Sequence, residues 1–145
     1  MATPADSAVI TYSQSFNCSQ SVFSAFATRF GLDRKTALRL ASPFGGGVAR
    51  RGEICGAVTG ALLVLGLERG ADEPSGKQAI YQLSQEFMRL FEQNHGTLIC
   101  RELLGCDVST DEGWQKVKAM GKSTTVCQVL VRDAAEIVQA LLESD

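Results

Sequence analysis

Apolar positions along this chain recur every three or four residues, and no stretch alternates with period two over a useful length. Val22, Phe23, Phe26 and Phe30 share one side of a segment that opens near Asn17 and stops at Gly31. Ile80, Leu83, Phe87, Leu90 and Phe91 do the same between the turn "ADEPSG" and the stop His95-Gly96. Val126, Leu130, Ala134, Ile137 and Leu141 form a third stripe, which predicts a last helix from about Thr125 to Leu142. Thr3 and Pro4 read as the cap and first position of a short helix through about Tyr12. Asp33 can cap "RKTALRLAS", which Pro43 ends. Shorter helices are expected in "TLICRELLG", bounded by Thr97 and Gly105, and in "STDEGWQKVKAM", capped at Ser109 or Thr110.

One segment departs from the striped pattern. From about Glu53 to Leu67 the chain reads as helix despite Gly56, Gly60 and Gly66, each of which costs about 1 kcal/mol relative to alanine. Gly56 and Gly60 lie four apart with Ala57 and Ala61 beside them, so one face is nearly bare backbone. A second helix can approach such a face closely, and the packing offsets the cost. This segment is expected to be the central and most buried helix. The whole chain is expected to form one all-α domain over residues 1–145, a bundle of about five to seven helices around it, with no internal repeat or linker.

Composition narrows the function classes. At 145 residues, with 45% hydrophobic and 21% charged residues, the chain can bury a sizeable core without staples. A net charge of −2 argues against nucleic acid, although residues 1–60 carry six Arg/Lys against three acids and the remainder is acidic. That basic share lacks the aromatic interleaving of a base-stacking surface and reads as solvated helix faces. The uncharged run from Ile54 to Leu67 is 14 residues, too short to span a bilayer. "MATPADSAVI" lacks the basic start and apolar centre of a signal peptide, so a cytoplasmic setting is expected, in which thiols stay reduced. Five cysteines, an odd number, fit a closed disulfide framework poorly.

Three features carry candidate chemistry. "FGGGVARRG" contains a flexible loop, Gly45, Gly46 and Gly47 with Arg50, which feeds a helix start and is a candidate anion or cofactor cradle. It lacks both the preceding strand and the Lys-Ser pair of a P-loop, and its glycine spacing fails the dinucleotide fingerprint. His95, the single histidine, sits at a helix end, where it suits the last carbonyls and the helix dipole. Cys18, Cys55 and Cys127 each fall near the start of a helix, where thiolates are stabilised, and Cys100 lies inside a short one. No Cys-x-x-Cys is present, so any joint site must be assembled by tertiary folding.

Read in order, "NCSQSVFSAF", "ALRLASPFGGGVARRGEICGAVTGALLVLGL", "CRELLGCDVST" and "VCQVLVRDAAEIVQALL" resemble the C_GCAxxG_C_C family of redox-active proteins, over Ser15 to Leu142. The resemblance aligns Cys18, Cys55, Cys100 and Cys127 with the four family cysteines, and Gly56, Ala57 and Gly60 with the small residues of its motif. The chain reads Cys55-Gly56-Ala57 where the label has Gly-Cys-Ala, Ser15 stands where a glycine is expected, and Cys106 is extra. The resemblance implies a helical domain with a redox or metal-related role. Three functions stay open. In the first, Cys18, Cys55, Cys100 and Cys127 hold an iron–sulfur cluster or another thiophilic metal. In the second, a thiol–disulfide protein, Cys55 attacks, another cysteine such as Cys18 resolves, and Cys55 titrates below a free thiol. In the third, a helical interaction domain carries incidental cysteines. An unidentified redox partner protein is expected in the first two, and a homodimer is left open.

Overall fold

The computed structural model describes residues 2–144, which form an all-α single domain. Its helices are α1 (Pro4–Ser13), α2 (Cys18–Ala27), α3 (Arg34–Ala41), α4 (Gly56–Arg69), α5 (Lys77–His95), α6 (Cys100–Leu104), α7 (Asp111–Ala119) and α8 (Gln128–Glu143). These eight among the described residues correspond to the eight segments read as helical, including the short α3 and α6, against an expected bundle of about five to seven. No described helix is long and apolar enough to cross a membrane.

Local chemistry sets most boundaries. Thr3 with Asp6 and Asn17 with Gln20 close reciprocal capping boxes on α1 and α2, while Asp33 and Thr110 cap α3 and α7. Gly96, at φ +86°, terminates α5. Helix α4 starts at Gly56 rather than Glu53, because the residues before it are spent on a different pairing. Ile54 makes an antiparallel bridge with Ile99, the Cys55 N–H donates to the Leu98 carbonyl (2.8 Å), and the Cys100 N–H donates to the Glu53 carbonyl (2.6 Å). Cys55 therefore occupies the N-cap of α4 and Cys100 the first turn of α6.

The bare face of α4 meets α2. A Cβ at Gly60 would lie 2.7 Å from the Ser19 carbonyl oxygen, and one at Gly56 would lie 3.1 Å from the Cys18 Cβ. Gly66 faces open space and takes no part. The expectation that α4 is the most buried helix needs correcting: α2 buries seven of its ten residues, α4 seven of its fourteen. Three of those in α2 are serines, Ser19, Ser21 and Ser24, which look polar in sequence, and Ser19 is the one that meets the α4 glycines. The inward face of α8 also differs from the predicted stripe. Val131, Ala135 and Val138 are buried with Leu130 and Ala134, whereas Val126, Ile137 and Leu141 lie at the margin. A π-helical turn, Ser123–Cys127, precedes α8 and places an extra residue in that turn, so Val126 and the later positions do not share one 3.6-residue phase.

Two apolar clusters result. The larger joins α1, α2, α4, α5 and α8 and includes Cys55, with Cys18 packed at its edge. The smaller comprises Cys100, Leu104, Val108 and Val117, with Trp114 and Cys127 packed against it. The seam between these clusters is where the cysteines meet.

Candidate functional site

A cavity of about 650 Å³ opens on that seam, and Cys18, Cys55, Cys100 and Cys127 all line it. Cys106 packs against the smaller cluster and is not part of this lining. The four thiols arrive from separate elements: the first turn of α2, the N-cap of α4, the first turn of α6 and the π turn ahead of α8. Close approach of α2 and α4 across Gly56 brings the first two together, and the Ile54–Ile99 bridge sets Cys55 and Cys100 as diagonal neighbours on a common face. Gly47 completes the arrangement, since a Cβ there would fall 2.6 Å from the Cys100 Cβ. All five cysteines are free thiols.

The electrostatics separate the four. Interaction with the Cys127 sulfur raises the Cys18 thiol well above the ordinary thiol range, and burial adds to this. The same interaction lowers Cys127; burial opposes this, and the Tyr12 hydroxyl and the Cys127 backbone N–H reinforce it. Tyr12 is itself pushed up, chiefly by burial and then by the charges of Cys18 and Cys127, while Ser123 acts in the opposite direction. Cys55 is pushed up to about 12 by burial, and Cys100 to about 12 by burial and by Cys55. The expectation of a low pKa at Cys55 is thereby corrected. The residue is 4% exposed, and desolvation of the thiolate outweighs the N–H groups of Ala57 and Val58 at the helix start. Cys127 differs from the expected helix-start thiol in another way, since the π turn runs continuously into α8 and leaves no free helix end there.

The glycine loop has a specific, strained form. Gly46, Gly47, Val48, Ala49 and Arg50 are consecutive left-handed residues, φ +50° to +72°. Non-glycine residues adopt that conformation at about 1–2 kcal/mol each. Their amides are largely turned inward: Val48, Ala49, Arg50, Gly52 and Glu53 donate to carbonyls of Phe44, Pro43, Gly45, Gly46 and Gly47. Gly46 and Gly47 line the cavity, Gly45 packs on Asn17, and the Arg50 guanidinium pairs with Asp111 (3.1 Å) and stands over the Trp114 ring. His95 lies elsewhere, held by Asp133 between the end of α5 and α8.

Tyr12, Ser123, Trp114 and Lys118 also line the cavity and were not legible as site residues. Tyr12 and Ser123 are 111 positions apart and meet only through tertiary packing. Trp114 and Lys118 did leave a signal, being an aromatic–cation pair four residues apart on a short amphipathic helix. Among the described residues, no group of three or more His, Cys, Asp or Glu side chains stands in an arrangement that could hold a metal ion. The thiolate donors suit a soft metal, but the side chains as they stand are not gathered around one.

Comparison with known proteins places this geometry in context. The family model described as "Putative redox-active protein (C_GCAxxG_C_C)" matches residues 16–141, a span containing all five cysteines and the glycine loop. No curated protein and no solved structure matches the chain.

Proposed function

The chain belongs to the C_GCAxxG_C_C family of redox-active proteins, and from that premise we propose that it is a thiol–disulfide redox protein in which Cys127 attacks and Cys18 resolves. The observation that carries this reading is that Cys18 and Cys127 line one cavity with two other thiols, where each shifts the titration of the other in opposite directions. The thiolate is the nucleophile, and of the four cysteines Cys127 is the one whose surroundings favour that form. Its attack on a disulfide sulfur of the oxidant forms a mixed disulfide and expels one thiolate. The same event removes the Cys127 charge that opposed Cys18 ionisation. Cys18 then loses its proton to the departing thiolate, attacks the Cys127 sulfur, closes the Cys18–Cys127 bond and expels the second half of the oxidant as a thiolate. Cys55, buried and protonated, is left out of the attack, in contrast to the role expected for it from sequence.

A second reading is favoured by the donor set alone: an iron–sulfur cluster or another thiophilic metal held by Cys18, Cys55, Cys100 and Cys127. It requires the four sulfurs to draw in to about 2.3 Å from a common metal. Anaerobic purification, followed by an absorption spectrum and thiol titration, separates the readings. A colourless protein that loses two titratable thiols to oxidant and regains them with reductant supports the first. Visible charge-transfer bands with stoichiometric metal support the second, and a colourless protein indifferent to oxidant removes both.

A further inference from the structure

Resting on the thiol–disulfide reading, we propose that the oxidant taken by this site is a small, largely apolar disulfide carrying an anionic group, bound inside the cavity beside Lys118. Three observations point there. The volume, about 650 Å³, lies within the range of roughly 300–1,000 Å³ that encloses a drug-sized ligand. Peroxide would need no such space, and a protein disulfide would present its sulfurs on a surface loop rather than fill an interior. Phe16, Leu103, Leu104, Val108 and Leu130 supply apolar lining, which suits an aliphatic or aromatic body.

Charge then sets polarity. Among the described residues on the lining, Lys118 is the one charged side chain, with its Nζ 5.2 Å from the centre of the Trp114 ring. Arg50 approaches the same ring at 5.9 Å, so the indole edge of the cavity is electropositive although Arg50 is partly neutralised by Asp111. One free cation can receive one carboxylate or similar anion. It cannot neutralise the several charges of a peptide disulfide such as oxidised glutathione, whose polar groups would be left unpaired against the apolar lining.

The reaction balances within the protein dithiol. The Cys127 thiolate forms a bond to one sulfur of the bound disulfide, whose S–S bond breaks and releases the first thiolate. That thiolate takes the Cys18 proton and leaves as a thiol; Cys18 then attacks the Cys127 sulfur, the mixed disulfide breaks, and the second half of the ligand leaves as a thiolate. Two electrons pass from the protein to the ligand, giving one small thiol, one small thiolate and the Cys18–Cys127 disulfide.

Single-turnover kinetics of the reduced, full-length protein test this with three probes: dithiobis(nitrobenzoate), an aromatic disulfide bearing carboxylates; dithiodipyridine, its uncharged analogue; and oxidised glutathione. The rate with dithiobis(nitrobenzoate) should saturate with concentration and should exceed that with oxidised glutathione by at least about tenfold more than the same comparison for free cysteine. Lys118 is exposed, so Lys118→Gln should fold, and it should lower the ratio of the carboxylate-bearing to the uncharged aromatic rate by roughly two- to fivefold. Linear concentration dependence, with selectivity equal to that of free cysteine and a ratio untouched by Lys118→Gln, overturns the inference. If dithiodipyridine itself reacts at Cys127 no faster than with a free thiol, the underlying thiol–disulfide reading fails instead.

Discussion

Cys127 and Cys55 both precede long helices, yet their surroundings push them in opposite directions. Cys127 is lowered by its neighbours Cys18 and Tyr12, whereas Cys55 is enclosed by apolar side chains and is pushed up to about 12. Iodoacetamide labelling followed by mass spectrometry should therefore show Cys127 reacting with a midpoint below the free-thiol value of about 8.5. Cys55 and Cys100 should resist labelling until well above it; labelling of Cys55 ahead of Cys127 would contradict the assignment. Replacing Cys127 by serine should make Cys18 easier to ionise, since Cys127 supplies the largest raising influence on it. The positions of the four cysteines were readable in the sequence, but the ranking of their reactivity was not, because it depends on burial and on Tyr12, which is remote from three of them in the chain. Ser15 shows the converse. It stands where the family pattern led us to expect glycine, and its φ is +76°. Ser15 is exposed, so Ser15→Gly should relieve that strain and stabilise the fold by about 0.5–1 kcal/mol, read as a higher thermal midpoint.

Helix α4 was recognisable from its glycines, and so was the need for a close neighbour. Its partner was not, because α2 presents buried serines that look like surface residues in a one-dimensional pattern. Gly60→Leu should destabilise by about 1–3 kcal/mol or more, since even the first carbon falls 2.7 Å from the Ser19 carbonyl oxygen; an unchanged thermal midpoint would contradict the α2–α4 contact. Gly47→Ala tests a different joint. It combines a left-handed φ of +72° with a Cβ 2.6 Å from that of Cys100, so it should both lower stability and alter labelling of Cys100. The loop's left-handed turn was beyond sequence reading: three adjacent glycines signal freedom, but Val48, Ala49 and Arg50 share the conformation with them. The π turn was equally hidden, and with it the phase of α8.

At the scale of the molecule, two apolar clusters close on a seam that four thiols line, so the proposed redox chemistry sits inside the packing that stabilises the fold. Cys55 and Cys100 have folded-state pKa values raised to about 12 against an ordinary 9.0. Their contribution to stability is therefore complete below pH 9 and is lost as the pH rises through 12, because the unfolded chain releases those protons first. Chemical denaturation at increasing pH should show that decline, and Cys55→Ser should flatten it. The central claim is that Cys18 and Cys127 are the exchanging pair. Its most direct test is disulfide mapping by mass spectrometry after limited oxidation of the reduced, metal-free protein with a small disulfide. A Cys18–Cys127 bond with Cys55 and Cys100 still reduced is the expected result; a bond that excludes Cys127, or none at all, would contradict it.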